Sequence, residues 1–180
     1  MVCICILKYR TFPFIVESRA ICRYLELKYK GKGNELIPKD IKSQGLFEQA
    51  ASTEISYFDP YASGIVYEKV FKKYLLFLFN SIISFFFKFR MKGLGEPDEQ
   101  KVALFKQQLN TNLDVYEKIL SKQPYLAGDR FTLADLFHIP YGAWLAKIGE
   151  GDLIQSRPNV KQWWDRITSR TSWKTVQAMQ

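Results

Sequence analysis

The segment from Phe131 to Ile148 constrains the fold more than any other, because it carries a complete signal for a buried helix. Thr132 and Asp135 have the spacing at which an N-cap hydroxyl and an N3 carboxylate bond to each other's backbone. Phe131 and Leu136 are placed to close a hydrophobic staple over the same turn. The apolar body of the helix is Leu133, Phe137, Trp144, Leu145 and Ile148. A helix this apolar requires neighbouring helices or sheets to cover it.

Other segments repeat the helical spacing and predict a mainly α protein. One helix is predicted to begin near Ser43 and to continue with a bend past Asp59-Pro60, and another is predicted to begin at Pro158. Ser172 is a candidate N-cap for a last short helix. The helix that opens at Pro97-Asp98-Glu99 has the clearest buried stripe, formed by Val102, Phe105, Leu109, Leu113, Tyr116 and Leu120.

The amino-terminal part contains one strand and one helix, joined at Glu17-Ser18. Residues 12–16 are apolar and suit a strand, and Ser18 is placed to act as the N-cap of a helix that runs to about Tyr29. The helix amides can hold a carboxylate, and Glu17 can pair with an ammonium group. The corner therefore suits the zwitterionic head group of an amino acid, although a plain helix cap explains the same residues.

Composition excludes several other classes of site. The net charge of +8 is spread along the chain, and its densest lysine cluster contains acids, so a solvated loop is favoured over a nucleic-acid site. Cys3, Cys5 and Cys22 lack zinc or CxxC spacing, which predicts no metal site and fits a reducing cytosol. His138 is the single histidine and is predicted to be a hydrogen-bonded structural residue. The apolar start is too short for the core of a secretion signal, so a cytoplasmic protein is expected.

Several blocks together resemble the cytosolic glutathione S-transferases, and the phi-like class most closely. The blocks are Glu17 to Leu25, Phe58-Asp59-Pro60, Val66 to Phe71, Gly93 to Pro97, Tyr125 to Asp129, Phe131 to Asp135, Arg157 to Val160 and Trp163-Trp164. The resemblance covers most of residues 14–73 and 92–178. It implies a thioredoxin-like glutathione-binding domain followed by an all-helical domain.

The resemblance assigns roles and boundaries. It divides the chain into a remnant of the thioredoxin-like domain at 1–32 (its last strand and helix), a linker at 33–42 and a helical domain at 43–180. Glutathione is implied as the co-substrate, without another cofactor, and a small hydrophobic electrophile as its acceptor. Glu17 and Ser18 match the pair that holds the γ-glutamyl group. Tyr57, Tyr61 and Tyr67 are candidates for the electrophile pocket, and Thr132 and Asp135 match the helix-capping module of the family.

The residues ahead of Glu17 depart from the family pattern. They contain neither the cis-proline loop nor the Ser, Tyr or Cys that stabilises the thiolate of glutathione. A free thiol has a pKa of about 8.5 and is only slightly ionised at neutral pH, so conjugation is expected to be impaired in a truncated chain. The alternative is a non-catalytic helical module for ligand binding or interaction. Relatives form homodimers, and dimerisation is in doubt here because part of the interface would be missing.

An apolar insertion at 74–90 also departs from the family. Its uncharged part is shorter than the roughly 20 residues that span a bilayer, although basic residues flank it, so membrane contact is a minor alternative. We interpret residues 1–13 and 74–90 as translated non-coding sequence or a misplaced reading frame. Messenger sequencing through both segments tests this interpretation.

Overall fold

The helices pack into one bundle, and a short hairpin precedes them. The computed structural model describes residues 7–9, 12–73 and 95–179, with side chains from Val16 onward. The hairpin pairs β1 (Leu7–Tyr9) with β2 (Phe12–Ile15) in antiparallel register, with Leu7 opposite Ile15 and Tyr9 opposite Phe12. The sequence predicts only the second strand, because three residues are too few to show an alternating pattern.

The described helices follow in chain order. They are α1 (Ser18–Lys28), α2 (Ile41–Thr53), α3 (Asp59–Val66), α4 (Glu99–Leu120), α5 (Leu133–Lys147), α6 (Asp152–Gln155), α7 (Pro158–Thr168) and α8 (Thr171–Ala178). The mainly helical fold predicted from the sequence is confirmed. The N-cap of α8 is Arg170, so the prediction of Ser172 as its cap is wrong.

The predicted long helix is present, and segments with wider turns continue it past Asp59-Pro60. Two π-helical segments, Glu54–Phe58 and Tyr67–Phe71, flank α3 and keep the chain helical from α2 onward. Pro60 lies in the first turn of α3 and has no N–H for the helical ladder. The backbone N–H of Asp59 bonds instead to the carbonyl of Glu54, five residues earlier. The wider turn thus accommodates the proline without ending the helix.

Two apolar clusters hold the described helices together. The larger lies among α3, α4, α5 and α7, with Ile65, Leu109, Leu113, Trp163 and Ile167 almost fully buried. The smaller lies between α2 and α5 and consists of Phe47, Ala50, Ala51, Leu133, Ala134 and Phe137. Cys22, Leu36 and Ile37 pack against this second cluster, so α1 and the loop after it rest on the helical bundle.

Parts of the sequence-based expectations lie outside the described residues. These are the whole insertion at 74–90 and residues 1–6, 10 and 11. Within the described ranges, no helix has both the length and the apolarity needed to cross a bilayer. The domain boundaries remain a prediction, although helix α2 already includes the last two residues of the proposed linker.

Candidate functional site

Glu17 holds a backbone conformation that is unfavourable for its residue type. Its φ is +73° and its ψ is 114°, which makes it the one non-glycine residue with positive φ among the described residues. Such a conformation costs on the order of 1–3 kcal/mol and persists only where the surroundings impose it. Glu17 occupies the N-cap position of α1, and its carbonyl accepts the first helical bond from Ile21 N at 3.0 Å. The prediction of Ser18 as the N-cap is therefore wrong by one residue.

The strained turn leaves the start of α1 open to a ligand. Ser18 is the first helical residue, and both Glu17 and Ser18 are exposed. Glu17 does not cap the helix with its carboxylate. The N–H groups of the first helical turn have no partner within the helix and lie at the positive end of its dipole. An exposed carboxylate thus stands beside the amide donors of a helix start. This arrangement can hold an ammonium group and a carboxylate at once.

Arg19 fixes this corner to the helical bundle. Its guanidinium donates to both carboxylate oxygens of Glu54, at 2.7 and 2.8 Å, and lies 3.1 Å from Asp59. The bond to Glu54 is the chief cause that raises the pKa of Arg19. Burial raises the pKa of the Glu54 carboxyl, and the two bonds from Arg19 oppose that rise. Glu54 is fully buried, so the pair has few alternatives to its present geometry.

A second arginine of α1 adds to the same contact. Arg23 pairs with Glu48 at 3.1 Å and lies over the rings of Phe47 and Phe137, at 5.6 and 5.5 Å from their centroids. The Arg19 guanidinium also lies 5.9 Å from the Phe137 centroid. The corner is thus positioned by ion pairs and cation–π contacts to α2 and α5.

A groove of about 340 Å³ opens on the bundle where α3, α4 and α5 meet. Its aromatic lining consists of Tyr67, Phe71, Phe105 and Tyr141. The remaining lining residues are Ser63, Gly64, Glu68 and Lys101. Glu68 accepts bonds from Lys72 Nζ at 2.7 Å and Asp98 N at 3.0 Å. Burial raises the pKa of Glu68, but these bonds outweigh it and leave that pKa lowered. The groove therefore has aromatic walls within a mixed polar and apolar lining, and the bonds to Glu68 hold the acid at its edge in the ionised form.

The three candidate tyrosines lie in different surroundings. Tyr67 lines the groove, whereas Tyr61 packs behind Phe105 with ring centroids 6.3 Å apart. Tyr57 is half exposed, and its carbonyl accepts a bond from Asn112 Nδ2 at 2.7 Å. Of the three, only Tyr67 is part of the lining described for the groove.

Thr132 and Asp135 form the reciprocal cap at the start of α5. Thr132 N donates to Asp135 at 2.9 Å, and Ala134 N donates to Thr132 Oγ1 at 3.2 Å. Asp135 also accepts from Leu126 N at 3.0 Å and from Trp163 Nε1 at 2.9 Å. Burial raises the pKa of Asp135, and these donors oppose the rise. One carboxylate thus ties the loop before α5 and helix α7 to the helix start.

His138 is buried in the bundle, as the sequence predicts. Its Nδ1 donates to the carbonyl of Ala134 at 2.8 Å, and its Nε2 accepts from the hydroxyl of Tyr116 at 3.0 Å. Complete burial lowers the pKa of His138 to about 3. The imidazole is therefore neutral at physiological pH and fully used in structural bonds.

Sequence patterns alone missed the partners of Arg19. Glu54 lies on the apolar side of its helix, seven residues after Phe47 and four after Ala50, both buried. A carboxylate at such a position requires a cation, and this signal was available from the sequence. The sequence did not show that this cation is Arg19, since 35 residues separate Arg19 from Glu54. Among the described residues, no cluster of three metal-ligating side chains occurs.

Comparison with known proteins gives one consistent family. The family described as "Glutathione S-transferase, C-terminal domain" matches residues 66–171. Glutathione S-transferase PM239X14 of Arabidopsis thaliana is 49% identical over 152 residues, which are 83% of this chain and 61% of that protein. The chain thus spans about three fifths of the length of this curated relative.

Solved structures agree with this result. Glutathione transferase F7 of Populus trichocarpa superposes with a TM-score of 0.80 at 30% identity, over 96% of this chain and 73% of that one. The maize glutathione S-transferase I in complex with an atrazine glutathione conjugate superposes with a TM-score of 0.74 at 25% identity, over 92% and 68% of the two chains.

Proposed function

Because this chain belongs to the glutathione S-transferase family, we propose that it binds glutathione at the Glu17-Ser18 corner and serves its transfer to a small apolar electrophile. The strained backbone of Glu17 is the observation that supports this most. A φ of +73° at a glutamate has a cost, and retaining it in an exposed turn suggests a ligand-binding role.

The chemistry of the corner fits the γ-glutamyl group of glutathione. That group carries an ammonium and a carboxylate on one carbon, and Glu17 and the α1 amides offer the complementary charges. Ser18 adds a hydroxyl beside the same amides. The ion pair of Arg19 with Glu54 anchors the start of α1 to the bundle when the ligand is absent. This anchoring lowers the entropic cost of binding.

The aromatic groove suits the second substrate. An apolar electrophile can pack between Tyr67 and the other three rings. The structure of the maize relative is named for its complex with an atrazine glutathione conjugate. Binding both reactants on one framework would supply the proximity that bimolecular transfer needs. In the transfer, the thiol of glutathione loses its proton to solvent, the thiolate sulfur forms the new bond to carbon, and the leaving group departs with the electron pair of its bond to that carbon.

Turnover by these 180 residues alone is proposed to be slow. Residues 1–16 do not match the family pattern that supplies the hydroxyl or thiol beside the glutathione sulfur. A thiol near its ordinary pKa of about 8.5 is only a few per cent ionised at pH 7. Conjugation above the uncatalysed rate would support the transferase, whereas glutathione binding with no such conjugation would favour the alternative of a non-catalytic binding module.

Calorimetric titration with glutathione and conjugation of a chloronitrobenzene test the proposal together. Glu17→Gln and Ser18→Ala are each expected to weaken glutathione binding at least tenfold, since each removes a partner of a charged group. Glu99→Gln and Ser172→Ala make the same chemical changes in exposed first turns of α4 and α8 and should leave binding unchanged. Equal loss in the control variants, or no loss in the corner variants, would refute the assignment.

A further inference from the structure

The groove has one wall whose position depends on a single glycine. If Gly64 carried a Cβ, that atom would lie 2.7 Å from Cε2 and 2.8 Å from Cδ2 of Phe105. These distances are shorter than real contacts allow, so only glycine lets the Phe105 ring lie directly against α3. Both residues line the groove.

The ring has little freedom on its other sides. Tyr61 packs against Phe105 with centroids 6.3 Å apart, and both residues adjoin the larger apolar cluster. The open space next to the ring is the groove itself. A ring displaced from Gly64 would therefore enter the groove and narrow it, whereas a smaller side chain at position 105 would widen it.

We propose that Gly64 and Phe105 together set the width of the groove and thereby how its affinity depends on the size of an apolar ligand. This proposal rests on the proposed use of the groove for the apolar co-substrate. A volume of about 340 Å³ lies near the lower end of the roughly 300–1,000 Å³ usual for small-molecule pockets. The four lining rings favour a planar ligand through stacked or edge contacts.

The test measures binding without glutathione, so that it does not depend on catalysis. Nitrobenzene and 1-nitronaphthalene lack a leaving group and differ by one fused ring. Equilibrium dialysis of the full chain gives the ratio of the two affinities that serves as the reference for the variants. Phe105→Ala should raise the affinity for 1-nitronaphthalene at least about tenfold relative to nitrobenzene, the discrimination that small volume changes produce in apolar pockets. Phe105→Leu should give a smaller change in the same direction.

Gly64→Ala should act in the opposite direction and weaken nitrobenzene binding about tenfold. Gly45→Ala is its matched control, because it also lies within a helix and its added Cβ would meet nothing within 4 Å. Leu104→Ala is the control for Phe105, since Leu104 is the preceding residue of α4 and is half exposed. Both controls should bind the two probes as the unmodified chain does.

Several results would overturn the proposal. These are equal shifts of the affinity ratio in the Gly64 and Phe105 variants, or unchanged affinities in both. Glutathione titration distinguishes failure of the width proposal from failure of the proposed function. If glutathione binds at the corner but probe size has no effect, only the width proposal fails; if probe size matters but glutathione does not bind, only the glutathione assignment fails.

Discussion

His138 should make the stability of this fold depend on pH in a way that one residue can report. Burial lowers the pKa of His138 to about 3 in the folded chain, whereas an unfolded histidine has a pKa of about 6.5. Above pH 6.5 the ring is neutral in both states and contributes no pH dependence. As the pH falls below 6.5, the unfolded chain takes up a proton that the folded chain does not, and unfolding is favoured.

The magnitude follows from the two pKa values. Each pH unit between them is worth about 1.4 kcal/mol, so lowering the pH from 8 to 5 should cost about 2 kcal/mol through this residue. Extending the range to pH 3 would raise the cost to about 4–5 kcal/mol. The fixed donor bond to Ala134 and the acceptor bond from Tyr116 are the reasons that the folded ring cannot relax to avoid this cost.

Urea unfolding followed by tryptophan fluorescence measures this effect. The reference is His138→Asn combined with Tyr116→Phe, which removes the titrating ring and the hydroxyl that would lose its partner. The difference between the free energies of unfolding of the two proteins should change by about 2 kcal/mol from pH 8 to pH 5. Carboxylates that lie away from Tyr116 and His138 contribute equally to both proteins and cancel.

Since the chain has one histidine, NMR of its ring gives a second test that does not depend on the variant. The ring of the folded chain should keep one proton, on Nδ1, from pH 8 down to pH 4.5. A native titration near pH 6.5, or parallel stability curves for the two proteins, would refute the assigned burial and bonding.

Three further changes test the packing that positions the site. Arg19→Met should destabilise the fold by about 3–5 kcal/mol in urea unfolding, because it leaves the Glu54 carboxylate buried without its cation; Arg23→Met, whose partner Glu48 is exposed, should cost far less, and equal costs would contradict this account. Glu117→Ala should cost about 1–3 kcal/mol, because Glu117 accepts bonds from Asn159 N and Val160 N and so caps α7 from the neighbouring helix; an unchanged melting temperature would show that the cap contributes nothing. Gly142→Ala should destabilise the fold by about 1–3 kcal/mol, since its Cβ would lie 2.3 Å from the Trp164 ring. Gly45→Ala should stabilise the fold by about 0.5–1 kcal/mol. Calorimetric melting that ranks the two variants in reverse would reject both predictions.

The helices were predictable because their signals are local. The Thr132–Asp135 cap lies within one turn, and the α4 stripe repeats from Val102 to Leu120. Positions of helix starts were less certain, and the structure moves the caps predicted at Ser18 and Ser172 by one and two residues. Such shifts arise because tertiary contacts, rather than the cap residue alone, decide where a helix begins.

Features that join distant segments could not be read from the sequence. The positive φ of Glu17 is not indicated by its residue type, and the pair of Arg19 with Glu54 joins residues 35 positions apart. The groove depends on Gly64 and Phe105, which local patterns show only as a helix glycine and a stripe residue. The residue types of the corner were therefore predictable, whereas its rigidity and its distance from other groups were not.

Calorimetric titration with glutathione and with N-acetylcysteinylglycine, which lacks the γ-glutamyl group and has no ammonium, tests the central claim most directly. The unmodified chain should bind glutathione at least about a hundredfold more tightly, since two charged groups are recognised only in glutathione. Glu17→Gln should remove most of that preference and leave the affinity for N-acetylcysteinylglycine unchanged. Equal affinities of the unmodified chain for the two peptides would contradict the assignment of Glu17 and Ser18 to the γ-glutamyl group.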